Sequence, residues 1–297
     1  MGRSTANLLG VLALLGWCMN VGVTRHVASG HVFGLPGLSY AVAGIALIFF
    51  DCFRGKSLPW KCDAAPKFWT IGGGAFVLFC VLFVFALSWS DDATVVLSLG
   101  LVNYCWPVLI LLFMPFFTNC HVRPLFGIVL CLIGICCAML WGMSMEKMLR
   151  GMSENWPAFL IMAAAAVAWA LYSNLAGRWA GNSSGTGWFE LVSGLILLVV
   201  WFFEGGPLGF TANMVAPFLL HALAVNATCY LLWDYGIRYG DLSLMGTLAN
   251  FLPLGSILFG AWYLGGEPTP GLWLGGILVS LGAIVSRRGG PNKKDAA

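Results

Sequence analysis

The chain has 297 residues, 60% of them hydrophobic and only 9% charged, which excludes an ordinary soluble domain with a polar shell. Its net charge of +3 is too small to argue for nucleic acid as a partner. The ten cysteines lie singly apart from Cys136 and Cys137, with no CxxC or mixed Cys/His cluster, and His26, His31, His121 and His221 are dispersed. The cysteines therefore read as small hydrophobes, and no disulfide, metal or cofactor is expected.

Apolar runs of about 20 residues, the length that crosses the hydrocarbon core, recur along the whole chain. They fall at 5–24, 34–53, 69–89, 95–118, 122–142, 156–179, 185–203, 212–235, 240–262 and 268–287, predicting an all-α polytopic membrane protein with ten transmembrane helices. The first run is followed by polar Asn20 and Arg25 with no small-residue cleavage site, so it reads as a retained helix and not a signal peptide. With the N-terminus inside, the inner loops carry Arg3, Arg54, Lys56, Lys61, Lys67, Arg123, Arg178, Arg238, Arg287, Arg288, Lys293 and Lys294, and the outer ones only Arg25, Lys147 and Arg150. That bias places both termini in the cytoplasm. The basic tail, residues 289–297 with the arginines before it, then serves as a topology anchor.

Span 1 holds Trp17 and Asn20 at helical i, i+3 spacing, and 152 residues later span 6 holds Trp169 and Tyr172 in the same relation. Span 4 contains LVNYCWPVLIL, Leu101 to Leu111, in which Pro107 removes a backbone donor and frees the carbonyl of Asn103. An unpaired carbonyl is costly against lipid, so this break is expected to line a cavity. Span 9 repeats the pattern. Gly246 and Pro253 are spaced as Gly100 and Pro107 are, Phe113 and Phe259 lie six beyond each proline, and Pro253 frees the carbonyl of Ala249.

Five spans per half is an odd number, so the second copy must be inserted upside down, as in secondary transporters whose broken helices meet at the midplane. The expected organisation is a first five-helix repeat at 1–142, a charged external loop acting as hinge at 143–155, a second repeat at 156–288 and a cytoplasmic tail at 289–297. GLWLG, Gly271 to Gly275, reads as helix packing within the fold and not as a dimer signal, so the chain is expected to be a monomer. The sequon Asn182–Ser184 falls in an inner loop, where glycosylation is not expected.

Of fourteen tryptophans, Trp60, Trp69, Trp89, Trp141, Trp156, Trp179, Trp188, Trp201, Trp233, Trp262 and Trp273 sit near span ends or in loops and read as an interfacial belt. Trp17, Trp106 and Trp169 lie deep, where aromatic faces can stack on an aromatic ligand. Asn20, Asn103, Tyr104, Tyr172, Asn226, Tyr230 and Asn250 are the neutral polar groups available to both ends of a zwitterion, although each could instead join helices. Glu190, Asp234 and Asp51 lie near inner span ends and read as interfacial; with no acid at midplane a facilitator is favoured over a proton-coupled pump, and Glu190 is kept as the candidate coupling group. No HExxH, paired-aspartate or Ser/His/Asp set supports an intramembrane enzyme.

The 5+5 plan, the segments GAWYLGGEPTPGLWLGGILVSLGAIV and WDYGIRYGDLSLMGTLANFLP, and more narrowly GLVNYCWP, GWCMNVGVTRHVASG, AWALY and the terminal RRG resemble the EamA-type branch of the drug/metabolite transporter superfamily. The resemblance implies a basket of ten helices around a largely apolar cavity, export of aromatic and some other neutral amino acids, and residence in the bacterial inner membrane. It points Trp17, Asn103, Tyr104, Trp106, Trp169 and Tyr172 into that cavity. The branch's Glu after span 9 is Glu267, but its repeat mate is His121, which leaves no paired role for it. An exporter of another metabolite or of an aromatic cation is the alternative; a cation carrier would be expected to place an acid beside the deep tryptophans.

Overall fold

The computed structural model describes residues 2–28, 31–55, 64–89, 95, 99–100, 102–117, 125–141, 144–181, 183, 185–264 and 270–288. His121, Glu267, Trp60, Asn182 and the tail 289–297 lie outside them. The described residues form helices and short connections, with no strand. In chain order the helices are α1 (Arg3–Trp17), α2 (Asn20–Ala28), α3 (Gly34–Phe53), α4 (Phe68–Leu87), α5 (Trp106–Phe117), α6 (Leu125–Leu140), α7 (Met145–Glu154), α8 (Trp156–Trp179), α9 (Thr186–Glu204), α10 (Ala212–Tyr239), α11 (Leu242–Ala249), α12 (Leu252–Leu264) and α13 (Pro270–Arg288). Helices α3, α4, α8, α9 and α10 are each long and apolar enough to cross a bilayer. Their outward side chains, among them Phe49, Phe202 and Phe203, are exposed apolar groups suited to lipid. The chain is a multi-pass helical membrane protein.

Lipid is as apolar as leucine, so these helices associate through close packing and not through the hydrophobic effect. Glycines seven residues apart allow it. On α3 and α9, Gly37 and Gly44 face Gly187 and Gly194; a Cβ on Gly44 would lie 2.6 Å from the Gly187 carbonyl, and one on Gly194 2.6 Å from that of Gly37. On α6 and α13, a Cβ on Gly134 would lie 2.8 Å from the Gly275 carbonyl and one on Gly282 2.5 Å from that of Gly127. Gly271 abuts Trp141, so both ends of GLWLG pack inside the molecule. The most extensive helix contacts are α6–α13, α3–α9, α1–α10 and α4–α8.

Three spans are interrupted within the described residues. Span 1 breaks at Cys18–Met19 between α1 and α2. Span 4 breaks at Tyr104–Cys105, where the Cys105 amide donates to Val102 at 3.1 Å and the Leu109 amide to Cys105 at 3.0 Å. Span 9 breaks 146 residues later at Asn250–Phe251, with the Phe251 amide donating to Leu248 at 3.0 Å and that of Gly255 to Phe251 at 3.0 Å. Pro107 and Pro253 therefore sit in the first turn of the helix after each break, where a missing N–H is tolerated. Two π-helical turns, Phe68–Gly72 in α4 and Leu220–Thr228 in α10, begin 152 residues apart.

Several expectations need correction. The segment 143–155, expected as a loop, is largely helix α7, with Met145, Leu149 and Met152 exposed beside its charged residues. Trp89, Trp141, Trp156 and Trp273 are exposed near helix ends, as a belt requires, but Trp233 is fully buried. Nearness to a span end measures depth along the bilayer normal and leaves open which way the side chain points. For the same reason Glu190 and Asp234, expected near inner span ends, do not face outward: both are buried.

Candidate functional site

Trp17, Asn20, Asn103, Tyr104, Trp106, Trp169 and Tyr230 converge on one cavity, joined by Phe79, Phe83 and Leu252. Counted with its open mouth, the space between its walls is about 420 Å³. Its walls come from α1 and α2, α4, the break before α5, α8, α10 and α12. The end of α1 and both proline-linked breaks thus reach it, as Trp17, Asn103–Trp106 and Leu252 show.

The aromatic side chains hold one another in fixed poses. Trp17 meets Trp169 at 5.7 Å and Tyr230 at 5.1 Å, both edge to face, and its indole N–H donates to the Val225 carbonyl in the π-turn at 3.3 Å. Trp169 lies 4.7 Å from Phe79 and 5.3 Å from Tyr230. Trp106 packs edge-on against Trp233 at 5.4 Å. These are the separations at which aromatic pairs attract, so the ring lining is preorganised. Trp233 supports it from behind, 5.6 Å from Trp17, with its N–H donating to Ser173 at 3.3 Å.

Polar groups in the lining divide into occupied and open ones. The Tyr104 hydroxyl donates to Ser256 of α12 at 3.0 Å, tying the two broken spans together. Asn103 is buried, yet its side-chain oxygen has no partner among the described residues. Asn20 accepts from Thr24 at 2.8 Å through its side-chain oxygen.

Three expected residues do not line this cavity. The Tyr172 hydroxyl donates to Asp234 at 3.0 Å, and Asp234 pairs with Arg238 at 2.6 Å, both ionic side chains being buried. Arg238 also donates to the Gly181 carbonyl at 2.6 Å and to the Tyr239 hydroxyl at 3.2 Å. Asn226 donates to Ser39 at 3.1 Å, and Asn250 donates to the carbonyls of Gly246 and Thr247 at 3.0 and 3.2 Å, at the end of α11 just before the break in span 9. Glu190 is outside the lining too, buried with both oxygens unpartnered among the described residues. Of the lining groups not anticipated, Leu252 was accessible from the repeat, since it lies 146 residues after Trp106. Phe79 and Phe83 carry no such sign; they are two phenylalanines among twenty-one.

A multi-pass helical protein with an aromatic cavity at broken helices has the form of a membrane transporter. The comparisons agree: residues 156–288 match the EamA-like transporter family. Over nearly its whole length the chain is similar to curated proteins named aromatic amino acid exporter YddG. It is 26% identical to that of Escherichia coli over 97% of this chain and 100% of that one. For the Salmonella typhimurium protein the values are 25%, 96% and 97%, and for that of Ancylobacter novellus 28%, 87% and 88%. A solved crystal structure, 24% identical, superposes with a TM-score of 0.80 over 96% of this chain and 98% of that one, which establishes the fold. The chain is thus similar to EamA-like transporters in its second half and to the YddG exporters over nearly its whole length.

Proposed function

We propose that this protein is a secondary transporter that exports neutral, preferentially aromatic, amino acids across the bacterial inner membrane by alternating access. Its ten spans form two inverted five-helix repeats, both termini are cytoplasmic, and the cavity at the repeat interface is the substrate site. The observation that carries this reading is the cavity wall: Trp17, Trp106, Trp169 and Tyr230 offer ring faces, Asn20 and Asn103 offer neutral polar groups, and no acidic or basic side chain is among the described lining residues. A zwitterion with an aromatic side chain matches that lining. An aromatic cation would be left without a carboxylate, since Asp234 is bound to Arg238 and Tyr172 instead.

The helix contacts support the repeat. Exchanging the halves carries the α1–α10 contact onto α8–α4 and returns the α3–α9 and α6–α13 contacts to themselves. The equivalent breaks before Trp106 and Leu252 and the paired π-turns fit the same symmetry. Such halves can rock about a fixed midplane site, which is the geometry of alternating access.

The test is efflux from proteoliposomes preloaded with labelled phenylalanine, tryptophan and threonine, with and without a pH gradient. Equilibrating efflux that favours the aromatic pair is expected. Failure to move any of the three, or preferential movement of quaternary ammonium compounds, would overturn the reading.

A further inference from the structure

A buried polar chain runs from the cavity into the protein. The Thr24 hydroxyl on α2 donates to the side-chain oxygen of Asn20 at 2.8 Å. The same hydroxyl lies 2.9 Å from Nε2 of His221, in the π-turn of α10, and Nδ1 of that ring lies 2.8 Å from the Ser39 hydroxyl on α3. Ser39 in turn accepts from the side-chain amide of Asn226 at 3.1 Å. Thr24, Ser39, His221 and Asn226 are all buried.

Hydrogen-bond inventory gives this chain a single direction. Thr24 has one proton, and it is committed to Asn20, whose carbonyl oxygen can only accept. Nε2 of His221 must therefore donate to Thr24. A neutral imidazole has one N–H, so Nδ1 accepts, and the proton it accepts is that of Ser39. Ser39 completes its set by accepting from Asn226, whose NH₂ is a pure donor. Every link then points from Asn226 toward Asn20. At the cavity end the Asn20 oxygen is occupied, while its NH₂ has no partner among the described residues and belongs to a side chain that lines the cavity. Another wall offers the opposite character. The Asn103 side-chain oxygen is buried and unpartnered among the described residues, and Pro107 denies the Asn103 backbone carbonyl its helical donor.

We infer that Asn20 binds the carboxylate of the substrate through its NH₂ group, locked in that orientation by a one-way relay through Thr24, the Nε2–H tautomer of His221, Ser39 and Asn226, while Asn103 takes the ammonium. The inference deepens the amino-acid transport reading and rests on it. Thr24, His221, Ser39 and Asn226 are positioning residues. Without them the Asn20 amide is free to turn its oxygen toward the carboxylate, which would repel it.

The decisive comparison is between phenylalanine and phenylalaninamide, which keeps the ring and the ammonium but lacks the carboxylate. Counterflow of labelled phenylalanine into proteoliposomes, competed by each compound at about pH 6 so that the amine stays protonated, reads the preference. Thr24→Val keeps the shape and removes the hydroxyl. It is expected to raise KM for phenylalanine and to cut its preference over the amide by about tenfold or more, the scale of a hydrogen bond to a charged group, with kcat little changed. Thr24→Ser should restore the preference. A Thr24→Val protein that discriminates as wild type does, or a loss that appears equally for both compounds and follows only the loss of folded protein, overturns the inference. The ¹⁵N spectrum of histidine-labelled protein is an independent reading. Nε2–H is expected for His221, assigned by its loss in His221→Gln, and a proton on Nδ1 would refute the relay. Wild-type protein that moves no phenylalanine would remove the transport reading, and the tautomer would still decide the relay.

Discussion

Trp106 and Trp233 are packed edge to face at 5.4 Å and are almost equally buried, yet only Trp106 lines the cavity. Replacing either by alanine removes a large buried aromatic, a change that typically costs about 3–5 kcal/mol of stability. The two variants should therefore melt at similarly lowered temperatures. Selectivity should separate them. Trp106→Ala withdraws a ring face from the substrate, forfeiting about 0.5–1.5 kcal/mol of aromatic contact, which corresponds to a drop of ~2- to ~13-fold in the preference for phenylalanine over threonine. Trp233→Ala should lower that ratio less than Trp106→Ala does, because Trp233 does not line the cavity and acts only through the poses of Trp17 and Trp106. Trp106→Phe, which keeps a ring, should retain most of the preference. The assay is parallel efflux of the two labelled amino acids from one liposome batch, normalised to folded protein, with the melting temperature measured in detergent. Equal loss of selectivity in the Trp106→Ala and Trp233→Ala proteins would refute the assignment of one to the substrate and the other to the scaffold.

A methyl group on Gly194 would meet the α3 backbone, 2.6 Å from the Gly37 carbonyl, whereas one on Gly74 meets nothing within 4 Å. Gly194→Ala should thus lower the melting temperature markedly and Gly74→Ala should hold or raise it; similar behaviour of the pair would argue against close packing of α3 on α9. Arg238→Met strands the buried Asp234 carboxylate and should cost about 3–5 kcal/mol, and the double variant with Asp234→Leu should recover most of that in a denaturation series. Pro107→Ala gives the Asn103 carbonyl a helical donor again, so the protein should fold normally and transport more slowly, and unimpaired flux would detach this break from the site. Ser153→Cys, on the exposed face of α7, should react with a membrane-impermeant maleimide only from outside the cell; labelling from the cytoplasmic side alone would invert the proposed topology.

Much of this molecule is legible without coordinates because a bilayer restricts the options. Every backbone polar group in lipid must be paired within its own helix, so runs of apolar residues declare where spans lie, and a proline inside one declares a break that has to face something other than lipid. That logic placed Pro107 and Pro253 at interruptions, and the repeat spacing singled out Trp17 and Trp169, which do meet in one cavity. What linear order cannot supply is azimuth, the direction a side chain takes around its helix. Trp233 and Glu190 lie near span ends and looked interfacial, but the rotation of α10 and α9 turns both inward. Tyr172 and Asn226 are as polar as Asn20 and Asn103, and only the neighbouring helices decided that the one is bound to Asp234 and the other to Ser39, while Asn250 gives its NH₂ to carbonyls of its own helix. The Thr24–His221–Ser39 chain was invisible for the same reason. Its members stand on three helices, with Thr24 197 residues and Ser39 182 residues from His221. No local pattern links them; a hydrogen bond between such distant positions exists only once packing has brought the helices to within a side chain's length.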